Sequence, residues 1–177
     1  MLHRDLILKA FERLSGHLAS RGVVGEIALL GGTAMMFAFQ ARQATKDVDA
    51  IFSPAKEIRE VAQLVAVELG LPEDWLNDSA KAFVSAQGDY QDPGLTFPNL
   101  KIVTPTAEYM LAMKVLSART AAGAERGDKG DIALLIDRLG LRNTAEVMQV
   151  VGRYYEDARL LPRAAYLVDE IFEERRR

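Results

Sequence analysis

Residues 26–52 constrain the fold more than any other part of the chain, because two short apolar runs flank one pronounced turn and one apolar helix. Glu26–Leu30 predicts a buried strand, and Gly31-Gly32-Thr33 predicts a tight turn directly after it. Ala34–Ala41 is apolar on most faces of a helix, and Lys46–Phe52 predicts a second strand. The helix returns the chain, so the turn and the second strand are expected to meet at one edge of a small sheet.

Two carboxylates lie on the second of these strands. Asp47 and Asp49 are two residues apart, and strand geometry places residues i and i+2 on the same face. Two like charges beside the core-like residues Val48 and Ile51 repel each other and resist desolvation. A divalent cation with oxygen ligands, such as Mg²⁺ (or Mn²⁺), relieves both problems, whereas an isolated Asp-x-Asp is more often a turn cap beside an exposed carboxylate.

The turn at Gly31-Gly32-Thr33 can likewise be interpreted in two ways, as a ligand-binding element or as a purely structural turn. Glycines at Gly31 and Gly32 let a ligand approach the backbone, free amides at a helix start favour phosphate, and Thr33 adds a hydroxyl. A Gly-Gly pair alone also serves in purely structural turns. Together, the turn and the carboxylates predict a phosphate-binding element beside a metal-binding element.

The rest of the pattern predicts an α+β protein in which a small mixed sheet with flanking helices precedes a C-terminal helical region. The expected helices cover about Leu2–Ser20, Ala55–Leu69, Thr106–Thr120, Asp128–Leu139, Asn143–Tyr155 and Pro162–Glu174. The expected further strands are Ala82–Ala86, Leu95–Phe97 and Lys101–Val103, with a turn at Trp75–Asp78 and a loop at Ala121–Gly127. We expect a core over residues 1–104 and a helical region over 105–177 that completes the site, the two parts being separate or one continuous domain.

The amino-acid composition argues against several kinds of active site and binding partner. The chain has no cysteine and only two histidines, His3 and His17, which argues against thiol chemistry, zinc-thiolate sites and histidine-based triads. The net charge of −3 provides no global field to attract nucleic acid, so RNA binding would need a local basic patch. No apolar run approaches a membrane span, and the first residues lack a signal-peptide core, so we expect a cytoplasmic protein without membrane contact.

The motif Gly31-Gly32-Thr33, followed by Arg42 and by Thr45-Lys46-Asp47-Val48-Asp49, resembles the signature of the nucleotidyltransferase (polymerase-beta-like) superfamily. Among its branches, the chain most resembles the bacterial AbiEii/MenT-like toxin nucleotidyltransferases and their uncharacterised relatives. These proteins also carry a later helix with a lysine and then an aspartate motif, which Lys114 and Asp131 match. The resemblance covers residues 28–52 and 105–139.

The resemblance implies Mg²⁺-dependent transfer of a nucleoside monophosphate from an NTP co-substrate to an acceptor. In toxin members the acceptor is tRNA and an antitoxin protein neutralises the enzyme, so tRNA or another RNA and a cognate antitoxin are the implied partners. By carry-over, Gly31, Gly32 and Thr33 contact the triphosphate, and Asp47 and Asp49 bind the metal. Lys114 contacts phosphates, and Asp131 orients Lys114 or the acceptor. Arg42 and Thr45 are expected to shape the loop.

Two departures keep other functions open. Many nucleotidyltransferases carry a third carboxylate on a later strand, but the predicted strands within 95–103 contain no acid. Without the resemblance, Lys114 would be expected on the solvated face of its helix. The alternatives are therefore a nucleotidyltransferase for a small molecule or a protein, and a non-catalytic binding module with the same fold.

Overall fold

The computed structural model describes residues 1–118, 126–156 and 162–176, and it confirms the predicted α+β class, with a mixed sheet and a C-terminal helical region. The described residues form two compact units. The first unit comprises Met1–Ala82 with Tyr90–Thr104, and the second comprises Phe83–Asp89 with Pro105–Arg177.

The first unit contains both helices and strands, whereas the second unit is helical. The helices are α1 (Arg4–Ser20), α2 (Gly31–Phe37), α3 (Ala55–Leu69), α4 (Ala107–Ser117), α5 (Arg126–Leu139), α6 (Thr144–Gly152) and α7 (Pro162–Arg176), with a short 3-10 helix at Ser79–Phe83. The strands are β1 (Leu2–His3), β2 (Gly25–Leu29), β3 (Ala44–Thr45), β4 (Val48–Ser53), β5 (Leu76–Asn77), β6 (Tyr90–Gln91), β7 (Thr96–Phe97) and β8 (Leu100–Pro105). None of the helices in the described part of the chain is both long and apolar enough to cross a membrane.

The main sheet has six strands and mixed pairing. Its order is β5-β4-β2-β8-β6, and β7 also pairs with β8. Strand β2 runs antiparallel to β4 and parallel to β8, and β4 runs parallel to β5. The register aligns Ala28 with Ile51 and with Val103. A separate two-stranded sheet pairs β1 with β3.

One face of the main sheet forms the core of the first unit. Alternate residues on β2, β4 and β8 are buried on this face: Ile27, Leu29, Val48, Ala50, Phe52, Leu100 and Ile102. Helices α1 and α3 pack against each other and cover it, as the approach of Leu18 and Ile58 to Gly25 shows. Trp75 is fully buried beside Phe11 and donates its indole N–H to the carbonyl of Ala62 at 3.0 Å.

Helix α4 is the centre of the second unit. Its residues from Tyr109 to Val115 are all buried, and α5, α6 and α7 all contact it. Asn143 caps α6 by accepting a hydrogen bond from the N–H of Glu146 at 2.9 Å.

Residues 83–89 belong to the helical unit although they interrupt the sheet region in sequence. The N–H of Ser85 donates to the Tyr109 hydroxyl at 2.8 Å, and the Ser85 hydroxyl donates to the carbonyl of Tyr154 at 2.6 Å. The Tyr154 hydroxyl donates to Asp89 at 2.8 Å. Burial first, and then this hydrogen bond, raise the pKa of Tyr154 to about 12.

Several predicted elements differ from those in the structure. Ala82–Ala86 is not a strand, because Ser85 within it is bonded to the helical unit. The predicted turn at Trp75–Asp78 contains the strand β5, and the helix predicted over Ala34–Ala41 ends at Phe37. The predicted end of a helix at Thr120 and most of the predicted loop Ala121–Gly127 lie outside the described residues.

Candidate functional site

The two aspartates lie where β4 begins. Asp49 is the second residue of β4, and it is half-buried between the buried residues Val48 and Ala50. It therefore points to the face opposite the core. We call this the site face, defined by the half-buried residues Asp49, Ile51, Ala28 and Val103. Asp47 was predicted inside the strand, but it lies in a bend just before it.

Gly31 lies directly against the carboxylate of Asp49. A Cβ on Gly31 would be 2.8 Å from Oδ2 of Asp49, and Gly31 has a φ of +52°, in the left-handed region. Strand pairing supports the contact, since the N–H of Leu30 donates to the carbonyl of Asp49 at 2.8 Å. Both the backbone conformation and the neighbouring carboxylate therefore require glycine at this position.

Gly32 has a comparable neighbour. Its Cβ would be 2.8 Å from Oγ1 of Thr45 and 3.6 Å from Nη1 of Arg42. The glycine pair was predicted to let a ligand approach, and the approach that the structure shows is that of the Asp49 carboxylate and the Thr45 hydroxyl. Arg42 and Thr45 thus lie beside Gly32.

Two threonine hydroxyls hold the main chain at Asp47. Thr33 donates to the carbonyl of Asp47 at 3.2 Å, and Thr45 donates to the same oxygen at 3.1 Å. Both threonines are buried. Because one acceptor receives both donors, the backbone at Asp47 is tied to the start of α2 and to β3.

Gly31-Gly32-Thr33 forms the first turn of α2. The prediction of a separate tight turn before the helix was therefore wrong. The preceding residue, Leu30, is extended, and the N–H of Ala34 donates to its carbonyl at 3.0 Å. The glycines therefore belong to a helix of seven residues whose next four residues, Ala34–Phe37, are buried.

Sequence reasoning did not predict the two-stranded sheet of β1 and β3, which pairs the start of the chain with the segment just before Asp47. Leu2 pairs with Thr45, and His3 pairs with Ala44, in the two-stranded sheet of β1 and β3. Leu2 is buried, so the pairing is held by apolar packing as well as by the ladder. The sequence signal for this pairing is a short, mostly polar segment just before Asp47, which is too weak to predict a two-residue strand.

Strand β8 carries no acid on the site face. The residues of β8 that share this face are Lys101 and Val103, which pair with Glu26 and Ala28. Lys101 forms an ion pair with Glu26 at 3.2 Å, at the exposed end of the face. The absence of a third strand carboxylate, noted from the sequence, thus holds for the strand that lies beside β2 in the sheet.

Lys114 and Asp131 form an ion pair in the second unit. The Nζ of Lys114 lies 2.8 Å from Asp131 and 2.9 Å from Asp128. Lys114 and Asp131 are both buried, whereas Asp128 is half-exposed. Lys114 is therefore not exposed to solvent, although the sequence of α4 alone would predict a solvated lysine.

The structure groups the predicted site residues into two sets. Gly31, Gly32, Thr33, Asp47 and Asp49 lie together in the first unit. Lys114 and Asp131 lie together in the second unit. Among the described residues, no group of three or more His, Cys, Asp or Glu side chains is arranged to hold a metal ion.

Comparison with known proteins does not assign the chain to a family. No protein-family model matches the chain, and no curated protein or solved structure matches it significantly.

Proposed function

We propose that this protein is a metal-dependent nucleotidyltransferase that transfers a nucleoside monophosphate from an NTP to an acceptor. The observation that carries the proposal is the contact between Gly31 and the Asp49 carboxylate, together with the Thr33 bond to Asp47. A glycine-containing helix start and an Asp-x-Asp strand start are thereby one assembly, as triphosphate binding beside a metal would require.

The donor set in the first unit fits Mg²⁺ or Mn²⁺. Asp47 and Asp49 offer carboxylate oxygens only, and no cysteine is present anywhere in the chain to favour a softer metal. Mg²⁺ is commonly held by one or two carboxylates and completes its shell with waters and substrate phosphates. When bound, the ion would neutralise negative charge on the triphosphate during displacement of pyrophosphate.

The chain's own residues would bind and orient the nucleotide. In the proposal, Gly31, Gly32 and Thr33 contact the β- and γ-phosphates, since these residues start α2 next to Asp49. The Thr33 and Thr45 bonds to Asp47 reduce the freedom of the carboxylate loop before substrate arrives. A site that is already ordered favours transfer of the nucleotide, because less conformational freedom is lost when the substrate reaches its reactive position.

Lys114 and Asp131 enter the proposal through the resemblance. An ammonium group has three donors, and two of those on Lys114 are directed at Asp131 and Asp128. The resemblance implies that Lys114 contacts phosphates and that Asp131 orients Lys114 or the acceptor. Asp131 is thus a positioning residue in this scheme.

For the acceptor, we propose tRNA or another RNA, with a cognate antitoxin protein as a further partner and a cytoplasmic location. The support is the resemblance of the motif to toxin nucleotidyltransferases. The net charge of −3 instead favours a small-molecule or protein acceptor, because RNA would require a local basic surface.

A non-catalytic NTP-binding module is the second candidate function. The observation that favours it is the site face of β8, where Lys101 and Val103 stand and no acid is present. Two carboxylates suffice to hold one ion, whereas two-metal transfer gains from additional ligands.

The test is transfer of label from α-³²P NTPs to total cellular RNA in the presence of Mg²⁺, with each of the four bases in turn. Asp49→Ala removes one carboxylate of the site, and Asp5→Ala removes an exposed carboxylate on α1 as a matched control. Label on RNA with wild type and Asp5→Ala, but not with Asp49→Ala, supports the enzyme and identifies the base. Mg²⁺-dependent NTP binding without any labelled product supports the module, and failure to bind any NTP overturns both.

Growth provides an independent measurement for the toxin branch. Expression of the protein without a neighbouring antitoxin should slow growth, and Asp49→Ala should remove the effect while Asp5→Ala retains it. Equal slowing by Asp49→Ala would contradict a toxic nucleotidyltransferase activity.

A further inference from the structure

Strand β5 places a polar side chain beside Asp49. The register of the parallel pair aligns Val48 with Leu76 and Asp49 with Asn77. Val48 and Leu76 are both buried, whereas Asp49 and Asn77 are both half-buried. Partners in a parallel pair project their side chains to the same face from strands about 4.8 Å apart, so Asn77 extends the site face across β4.

The orientation of the Asn77 amide is fixed by its own turn. Its Oδ1 accepts a hydrogen bond from the N–H of Ser79 at 2.9 Å, which only the oxygen can do. Its Nδ2 donates to the carbonyl of Asp74 at 3.4 Å, which is long for a hydrogen bond. This long bond uses at most one of the two N–H donors of the amide, so the other can donate to a ligand.

Three strands meet at this edge of the sheet in a definite order. The end of β2 leads into Gly31, the start of β4 carries Asp49, and the end of β5 carries Asn77. Because β4 lies between β2 and β5, Gly31 and Asn77 approach Asp49 from opposite sides. A ligand that spans this edge would contact glycine backbone, carboxylate and amide in that sequence.

We propose that Asn77 binds the nucleoside part of the NTP, by donating a hydrogen bond from Nδ2 to an oxygen of the ribose or base. This inference rests on the proposed function. Transfer of a nucleoside monophosphate occurs at the α-phosphorus, which belongs at the carboxylates. With the β- and γ-phosphates on the Gly31 side, the nucleoside continues towards β5, where Asn77 stands. Asn77 is then a residue that distinguishes a nucleotide from a bare polyphosphate.

The test compares binding of an NTP and of tripolyphosphate, both with Mg²⁺, by titration calorimetry. Asn77→Ser keeps an oxygen that can accept from the N–H of Ser79, keeps the charge, and removes the amide donor. Asn143→Ser is the matched control, because Asn143 also accepts a backbone N–H at 2.9 Å and serine replaces it well as a helix cap.

We expect Asn77→Ser to weaken binding of the best NTP by about tenfold, as loss of one hydrogen bond to a ligand does, and to leave tripolyphosphate binding unchanged. Asn143→Ser should bind both ligands as wild type does. If Asn77→Ser binds the NTP like wild type, or loses NTP and tripolyphosphate equally, the assignment of Asn77 to the nucleoside is overturned. If wild type binds neither ligand, the proposed function itself fails, which is a separate outcome.

Discussion

Replacing Gly31 by alanine tests the contact on which the site depends. The substitution adds one methyl group, at a backbone φ of +52° and 2.8 Å from Oδ2 of Asp49. The left-handed conformation costs an alanine about 1–2 kcal/mol relative to its favoured conformation. Displacing the carboxylate to accommodate the methyl group adds about 1–3 kcal/mol, as overpacking does elsewhere.

Gly70 offers a control that separates these two costs. It has a similar φ of +63°, at the C-terminal end of α3, and a Cβ there would meet nothing within 4 Å. Gly70→Ala therefore carries the backbone cost alone, whereas Gly31→Ala carries both costs. We expect Gly31→Ala to lower the free energy of unfolding by about 1–3 kcal/mol more than Gly70→Ala does. In thermal melts, each kcal/mol lowers Tm by about 2–4 °C for a chain of this size.

The assay is urea unfolding followed by the fluorescence of Trp75, the single tryptophan, which is buried in the core of the first unit. Repeating the comparison in an Asp49→Ala background removes the carboxylate that the methyl group would meet. The excess cost of Gly31→Ala should then disappear, which a double-mutant cycle measures directly. Equal losses for Gly31→Ala and Gly70→Ala with Asp49 present would refute the contact.

Three further predictions concern the second unit. Asp131→Ala leaves Lys114 buried with only a half-exposed partner, so it should lower the free energy of unfolding by about 2–4 kcal/mol, and the double variant Lys114→Met with Asp131→Leu should recover most of that loss in a urea titration. Burial and the hydrogen bond to Asp89 raise the pKa of Tyr154 from about 10 in the unfolded chain to about 12, so the unfolded chain loses this proton first. The contribution of Tyr154 to stability should therefore be constant below pH 10 and be lost between pH 10 and 12, and Tyr154→Phe should remove that part of the pH dependence. Asn143→Ala should cost about 1 kcal/mol in thermal melts through loss of the α6 cap, and equal stability of the variant would show that the cap is dispensable.

The alternation of buried and half-buried residues along β4 could be predicted from the sequence, because it is a local pattern of period two. It correctly placed Asp49 on a strand. The position of Asp47 could not be predicted in the same way. Its bend is held by the hydroxyls of Thr33 and Thr45, and the Thr33 bond joins residues far apart in sequence.

Long-range bonds also explain two further differences between the sequence predictions and the structure. The apolar stretch around Ser85 has the composition of a strand, but its N–H and hydroxyl are bonded to Tyr109 and Tyr154 in the helical unit. Without the resemblance, Lys114 would be expected in solvent, because its helix alone gives no reason to bury an ammonium group. The carboxylates that allow its burial are on α5, the next helix.

The main sheet ends in a two-residue strand on each side, β5 at one edge and β6 at the other. An exposed sheet edge is a template on which a second chain can add its own strand, and a long flat edge invites polymerisation. Two residues offer too few unpaired N–H and carbonyl groups to hold such an added strand in register. Each of these two-residue strands is therefore a poor template for an added strand, and substitutions that lengthen β5 or β6 should make edge-to-edge association easier.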